Sequence, residues 1–300
     1  MDLVVVGYGR AGQQHIAALS RSDTARLHSI LETDVTVTTG DTPRAASWES
    51  VLTDPAVDAV SLCLPPGGRA DLACAALAAG KAVLLEKPPA TTLAELSQVE
   101  AAAVAAGRPA AVMLQHRHVL PAAALRTSWG PTAAATLLVS RPRTAAHFSG
   151  WRADPGRALG GIVAHLGVHY LDIACQLLGM PVSVTITDRA ECHPGIDLQC
   201  TGVITFDSQA TLAFTVTARA GARGERLSVV GDPGHLDIAD GAVDAQIDGQ
   251  RIRTEPVPGP ELRRRVIDEL AADTPPDRSS LRRSRGVTRL LELTAAVPAR

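Results

Sequence analysis

Lys81 and Lys87 are the only lysines in a chain whose Lys and Arg together number 29. Where arginine serves for nearly every positive charge, a retained lysine asks for a chemical reason. An ammonium, unlike a guanidinium, shifts its pKa when desolvated and can exchange a proton near neutrality. Lys87 has the telling setting: Ala82 to Glu86 reads as a strand, Lys87 follows its carboxyl end, and Pro88 stops the ladder and fixes the exit of the chain. A surface pairing with Glu86 is the plainer alternative. The second group with chemical capacity is a stripe of His165, His169, Asp172 and Gln176 at helical steps of four, three and four. Two imidazoles on a face without Lys, Arg or Glu suit proton transfer in a cleft, because imidazole titrates near ~6.5; histidines packed in a core are the other reading. Histidines four apart on a helix also suit a metal, with His116 or His118 as a third ligand. No further Cys, His or Asp spacing supports one, so no metal is expected.

A third feature binds rather than reacts. Gly7-Tyr8-Gly9-Arg10-Ala11-Gly12 follows the strand pattern Leu3 to Val6 and opens a helix. The first Gly permits a tight turn, the second lets backbone approach a pyrophosphate, and the third lets helix and strand pack closely. Glu32 lies about twenty residues on, at the end of the next strand, where an acid binds a ribose 2′-hydroxyl. Thr33 and Asp34 follow it rather than an arginine for a 2′-phosphate, which favours NAD and leaves NADP possible.

These residues need a scaffold, and the periodicity supplies one. As far as about residue 116, short β-branched runs (3–6, 27–32, 59–64, 82–86, 110–115, with Val35 and Val37 as a shorter candidate) alternate with helical stretches (9–20, 47–53, 69–79, 93–106). That order gives an α/β fold whose N-terminal part is a Rossmann, doubly wound parallel sheet. Beyond it one long helix, 161–178, precedes period-2 strands such as Val182-Val184-Ile186 and Leu212-Phe214-Val216, an α+β domain with an open, mostly antiparallel sheet. The expected domains are 1–117, dinucleotide-binding, and 118–300, for substrate and oligomer contacts. Arg-rich helices at 261–270 and 281–296 close the chain with their arginines on a solvated face. A net charge of −2 and 3% aromatics offer neither the basic footprint nor the stacking rings that nucleic acid needs. The first residues run directly into a strand with no basic, apolar leader, so a cytoplasmic protein without membrane partners is expected. Five cysteines with no Cys-x-x-Cys pair read as reduced core packing.

The Gly7–Gly12 turn, the run Gly80-Lys81-Ala82-Val83-Leu84-Leu85-Glu86-Lys87-Pro88 and the Gly-Gly helix at 160–179 together resemble the glucose-fructose oxidoreductase / inositol dehydrogenase / MocA family. The likeness runs in order along nearly the whole chain, and Glu-Lys-Pro is its most specific part. It implies an NAD(P)-dependent dehydrogenase or reductase that moves a hydride between nicotinamide and a carbinol or carbonyl carbon of a sugar, amino sugar or cyclitol. Reduction of an imine or another ketone, and a nucleotide-binding regulator without chemistry, are the alternatives. The resemblance further implies that Glu86 and Lys87 lie at the cofactor, with Lys87 polarising the reacting oxygen or exchanging a proton with it. His169 becomes the proton-transfer partner; His165, where the family commonly has Asp, orients substrate or titrates as a second group. Leu64-Pro65 resembles the adenosine-side loop, with Arg69 where relatives often have His. Trp151-Arg152 resembles an aromatic-Arg pair that touches cofactor or substrate, unless it only packs beside the helix. Arg117 joins His165, His169 and Asp172 as the implied substrate set, a hinge salt bridge being equally compatible. Assembly as a homodimer or homotetramer through the open sheet is implied too.

Overall fold

In the first half the strands are mostly apolar and buried, with Asp2, Arg26, His28, Ser29 and Ser61 as the polar exceptions, as a sheet covered on both faces requires. The computed structural model describes residues 1–297. It shows β1 (Asp2–Val6), α1 (Arg10–Leu19), β2 (Arg26–Leu31), α2 (Trp48–Thr53), β3 (Ala59–Leu62), α3 (Arg69–Ala78), β4 (Ala82–Leu85), α4 (Leu93–Ala106) and β5 (Ala110–Val112). The strands pair in parallel in the order β2-β1-β3-β4-β5. The strand order reverses beside β1, so the carboxyl ends of β1 and β3 bound the crevice where such sheets take ligands. Val35 and Val37 form no strand; they lie in a loop that Arg44 ties down through the carbonyls of Glu32, Asp34 and Val37.

The second compact unit takes over at His116. It contains α5 (Ala122–Arg126), β6 (Ala134–Ser140), α6 (Pro155–Ala158) and α7 (Val168–Leu178), then β7 (Pro181–His193), β8 (Ile196–Phe206), β9 (Thr211–Thr217), β10 (Gly224–Gly231), β11 (Gly234–Ala239), β12 (Ala242–Ile247) and β13 (Gln250–Thr254). The sheet runs β13-β12-β11-β10-β6-β9-β8-β7, antiparallel except where β6 meets β9. One face is apolar and buried through Leu137, Val139, Leu212, Phe214, Val216, Leu227 and Val229. The other exposes Thr136, Leu138, Ala213 and Val203, the period-2 pattern of a half-covered sheet. The helix lies close on the inner face: a Cβ at Gly167 would come within 2.9 Å of the Val216 side chain on β9.

The last two helices divide between the units. After β13 the chain forms α8 (Gly259–Ala271) and, further on, α9 (Arg285–Ala296). Residues Pro258–Arg283 belong to the first unit, whereas Ser284 onward belongs to the second, so a single cut at 117/118 does not describe the chain. The physical reason is the apolar stripe of α8. Val266, Ile267 and Leu270 join Leu3, Val5, Leu84 and Met113 in one core, and Ser279 O accepts the Val112 N–H beside β5. Arg264 and Arg265 of this helix pair with Glu261 and Asp268 on its outer side, whereas Arg263, expected on the solvated face, is partly buried and donates to Gln14 Oε1 at 2.9 Å. All five cysteines are free thiols, but Cys192 is exposed rather than core.

Candidate active site

The glycine turn of the first unit has the shape of an anion cradle. Gly7 adopts φ 90°, and a Cβ there would press on Cys63 O at 2.9 Å. A Cβ at Gly12 would lie 2.0 Å from Gly7 O, so α1 can start this close to the turn only with glycine. At Gly9, by contrast, a Cβ would meet nothing within 4 Å. Gly9 caps α1 without a side-chain hydrogen bond, and the first helical turn holds no acid, so its N–H groups and positive dipole end are not answered by a side chain. These features fit a dinucleotide diphosphate, with Tyr8, Gly9, Arg10 and Ala11 around it. At the end of β2, Glu32 accepts from Tyr8 N at 2.8 Å (Oε2) and from Asp34 N at 3.0 Å (Oε1), which fixes its carboxylate beside the turn. Fixed there, it can accept from ribose hydroxyls and would repel a 2′-phosphate.

Lys87 leaves the carboxyl end of β4, on the ligand edge of this sheet, next to a buried cluster absent from the sequence reading. His15 lies on the inner side of α1, fully buried. Its Nε2–H donates to Glu86 Oε1 at 2.9 Å, and its Nδ1 lies 2.7 Å from the Ser61 hydroxyl on β3. The second oxygen of Glu86 accepts the backbone N–H of Lys87 at 3.0 Å. Burial works against the charge of Glu86, yet the hydrogen bond and charge of His15, then Lys87 and Arg69, hold it down at about 2. Burial likewise works against protonation of His15, and Cys63 and Glu86 outweigh it, raising His15 to about 10. Arg69, also buried, donates to Leu64 O at 2.7 Å and so ties the Leu64-Pro65 loop; burial pulls it down to about 10, still a cation at neutral pH. The sequence did carry a signal for His15: a polar residue on the same helix face as buried Gly12, Ala18 and Leu19.

In the second unit the helix bearing the histidines is not uniformly α. Val163–Gly167 is a π-turn, and α7 takes over from Val168. Asp197 holds its start, accepting from Gly161 N and Val163 N at 3.0 Å each; burial raises that carboxyl. The wider turn breaks the even 3.6-residue stripe and gives the two imidazoles different neighbours. His165 packs against Trp151 (ring centroids 5.5 Å apart) and His147 (6.2 Å), and its Nε2–H donates to Ala158 O at 3.2 Å. The Arg152 guanidinium stacks on Trp151, 4.4 Å from its ring centre. His169 instead meets His116 edge-on at 4.4 Å, and His116 leans on Tyr170. Behind them Glu225 pairs with Arg141; burial and the Glu225 carboxylate raise the Tyr170 phenol, while Arg141 lowers Glu225 against its own burial. His147 was not expected beside the predicted pair, since loop residues carry no periodicity that would assign them neighbours; His116 was weighed there only as a third metal ligand.

Two members of the expected substrate set are paired with each other. Arg117 (1% exposed) and Asp172 (0%) face each other in a two-pronged ion pair of 2.6 and 2.7 Å, and Arg117 also donates to Ser284 Oγ at 3.0 Å. They form a buried ion pair, compatible with the salt-bridge alternative for Arg117. Asp172 is inside because the whole helix from Val163 to Cys175 is buried, not one face of it. His165 and His169 are 6% exposed each. Among the described residues no three His, Cys, Asp or Glu side chains converge to hold a metal.

An open glycine turn on a parallel sheet, an acid ending its second strand and a separate open-sheet unit define a two-domain, dinucleotide-binding class. Comparison with known proteins makes this specific. The model described as "Oxidoreductase family, NAD-binding Rossmann fold" (GFO_IDH_MocA) matches residues 1–114, and that of the GFO/IDH/MocA C-terminal domain matches residues 105–237. The chain belongs to the GFO/IDH/MocA oxidoreductase family, and its first domain is of the NAD-binding type. D-xylose 1-dehydrogenase (NADP(+)) 2 of Haloferax volcanii is 30% identical over 67% of this chain and 61% of its own length. Galactose 1-dehydrogenase of Pseudomonas fluorescens is 41% identical over 30% of each chain. The matched stretches thus span between 30% and 61% of these relatives. The WlbA dehydrogenase of Bordetella pertussis, solved with NADH and UDP-GlcNAcA, shares the fold: TM-score 0.80 at 20% identity, covering 98% of this chain and 94% of that one.

Proposed function

We propose that this protein is an NAD-dependent dehydrogenase of a small polyhydroxylated substrate, a sugar, amino sugar or cyclitol. The observation that carries the reading is Lys87, held at the carboxyl end of β4 in the same unit as an open glycine turn and a fixed Glu32. Bound nicotinamide would supply the hydride acceptor or donor at its ring carbon. The rest falls to the chain. Gly7 to Gly12 and the N-terminus of α1 hold the diphosphate, Glu32 the adenosine ribose, and the Leu64-Pro65 loop the adenosine side. Lys87 stabilises the charge that grows on the substrate oxygen during carbonyl reduction, where a nearby cation lowers the barrier. In the second unit His169 is the proton-exchanging group, and His165, backed by Trp151 and Arg152, the substrate-orienting one. The sugar-dehydrogenase names of the relatives support the substrate class.

The outer face of the large sheet suits a second copy of the chain. Across it Ser228, Thr136, Ala213, Val203 and Thr185 line up in register, small and uncharged. Assembly as a dimer or tetramer through this face belongs to the same proposal.

The test is nicotinamide absorbance during incubation with NAD and a panel of aldoses, uronic and amino sugars and cyclitols. Lys87→Ala is expected to bind NAD almost as the parent does and to lose turnover by about 10²-fold or more, the scale of a lost proton-transfer or charge-stabilising group. A parent protein inactive on every polyol but active on cyclic imines would overturn the substrate class. Equal turnover by Lys87→Ala would overturn the role of Lys87.

A further inference from the structure

We propose that Arg44 is a selectivity residue of the adenosine 2′ position: it positions Glu32 for a 2′-hydroxyl, and its guanidinium is the cation that a 2′-phosphate meets once that acid is gone. The inference rests on the dinucleotide-binding reading of the first unit and not on the reaction. No arginine follows Glu32 closely along the chain, yet the fold brings one beside it. β2 is an edge strand of its sheet, and residues 43–45 cover its free edge. Ile30 N donates to Pro43 O at 2.8 Å, Ala45 N donates to Ile30 O at 2.9 Å, and Arg44 bridges Ile30 in parallel. This return sets Arg44 alongside the strand end that Glu32 follows.

The guanidinium is spent there on backbone. Its Nη2 donates to Glu32 O at 2.8 Å and Asp34 O at 3.2 Å, and its Nη1 to Val37 O at 3.0 Å. Three carbonyls on one planar fork fix the path of the chain through Glu32, which a single-point ammonium would not do. The Glu32 carboxylate is held from the other side, by Tyr8 N at 2.8 Å and Asp34 N at 3.0 Å. The acid thus fills a small nest of backbone donors, and Arg44 holds the frame of that nest. Asp34 is engaged in its own turn: Oδ1 accepts from Thr36 N at 2.9 Å and Thr36 Oγ1 at 2.6 Å, and these bonds, more than Arg44, lower its carboxyl. Electrostatics then separates the two cofactors. With Glu32 in the nest a 2′-hydroxyl finds an acceptor, whereas a 2′-phosphate meets a like charge. Without Glu32 the same place offers two backbone N–H groups and a guanidinium bonded only to carbonyls, the kind of donor set a phosphate takes.

Calorimetric titration of NAD and NADP tests this without turnover, on the full chain and on Glu32→Ser, Arg44→Met and the double variant. Arg44→Met is expected to weaken NAD binding about tenfold by loosening Glu32, and to cost nothing further in the Glu32→Ser background. Glu32→Ser is expected to move the ratio of NADP to NAD affinity at least about a hundredfold toward NADP, with a steeper salt dependence, and the added Arg44→Met to return most of that shift. Arg44 is exposed, so its replacement leaves the core intact, and a thermal melt checks this. Arg44→Lys keeps the charge without the fork: it should weaken NAD in the otherwise unmutated chain yet retain NADP binding beside Glu32→Ser. NADP affinity in the double variant equal to that of Glu32→Ser overturns the proposal, as does NAD affinity in Arg44→Met equal to the parent's. A loss of NAD affinity as large in the Glu32→Ser background as in the parent marks Arg44 as a general support of the loop and overturns it too. A parent protein that takes up neither cofactor overturns the dinucleotide reading and this inference with it, so the two failures are told apart by the parent alone.

Discussion

Replacing Asp172 by Asn tests whether the clamp with Arg117 is structural. The substitution keeps the side chain's shape and removes one charge of a pair whose members are 0% and 1% exposed. The Arg117 guanidinium then keeps a full charge deep in the second unit without its carboxylate partner at 2.6 and 2.7 Å. Breaking one side of such a pair costs about 3–5 kcal/mol, which at about 2–4 °C per kcal/mol for a domain of this size lowers its melting transition by roughly 6–20 °C. Calorimetry of the full chain should show the second unit's transition move while the first unit's stays. Arg117→Met combined with Asp172→Leu should recover much of the loss, because apolar packing replaces a buried pair at little cost. A loss below about 1 kcal/mol, the range of exposed pairs, together with a selective rise in KM, would refute the structural assignment and return both residues to the substrate.

Three further outcomes are expected. Gly9→Ala should leave the melting temperature nearly unchanged, since its Cβ meets no protein atom within 4 Å, yet weaken NAD binding at least about tenfold by filling the cradle; calorimetric titration reads both sides of this. The His15–Glu86 pair makes the first unit pH-sensitive in a defined sense. His15 is raised from 6.5 to about 10, so its stabilisation is whole below 6.5 and is lost as pH climbs toward 10, at up to about 1.4 kcal/mol per pH unit; Glu86, lowered from 4.5 to about 2, loses its share as pH falls between those values. Denaturant melts across pH should show the alkaline slope in the parent and not in His15→Gln. Finally, light scattering should give a mass at a multiple of 31.2 kDa, and Ala213→Arg in the middle of the outer sheet face should reduce it to one chain.

Much of this protein is legible locally. The glycine turn could be read because strand, tight turn and helix start are consecutive, and each glycine meets a constraint within a few residues of itself. Parallel and antiparallel sheets separated on pattern alone, since fully buried strands are continuously apolar whereas half-covered ones alternate. Lys87 stood out by its rarity and by the proline after it. The two histidines were found, but their shared stripe was not kept, because a π-turn at Val163–Gly167 is invisible to a 3.6-residue count.

Sequence alone therefore determined the kinds of elements, their order and the groups able to react. Tertiary structure decided which groups meet: Arg117 and Asp172 across 55 residues, His15 and Glu86 across 71, and α8 returning from the far end of the chain to complete the first unit. The reason is physical. Periodicity records which face of an element leaves water, whereas a charge placed on that face is tolerable only beside its opposite, and the partner is brought there by folding, from any distance along the chain.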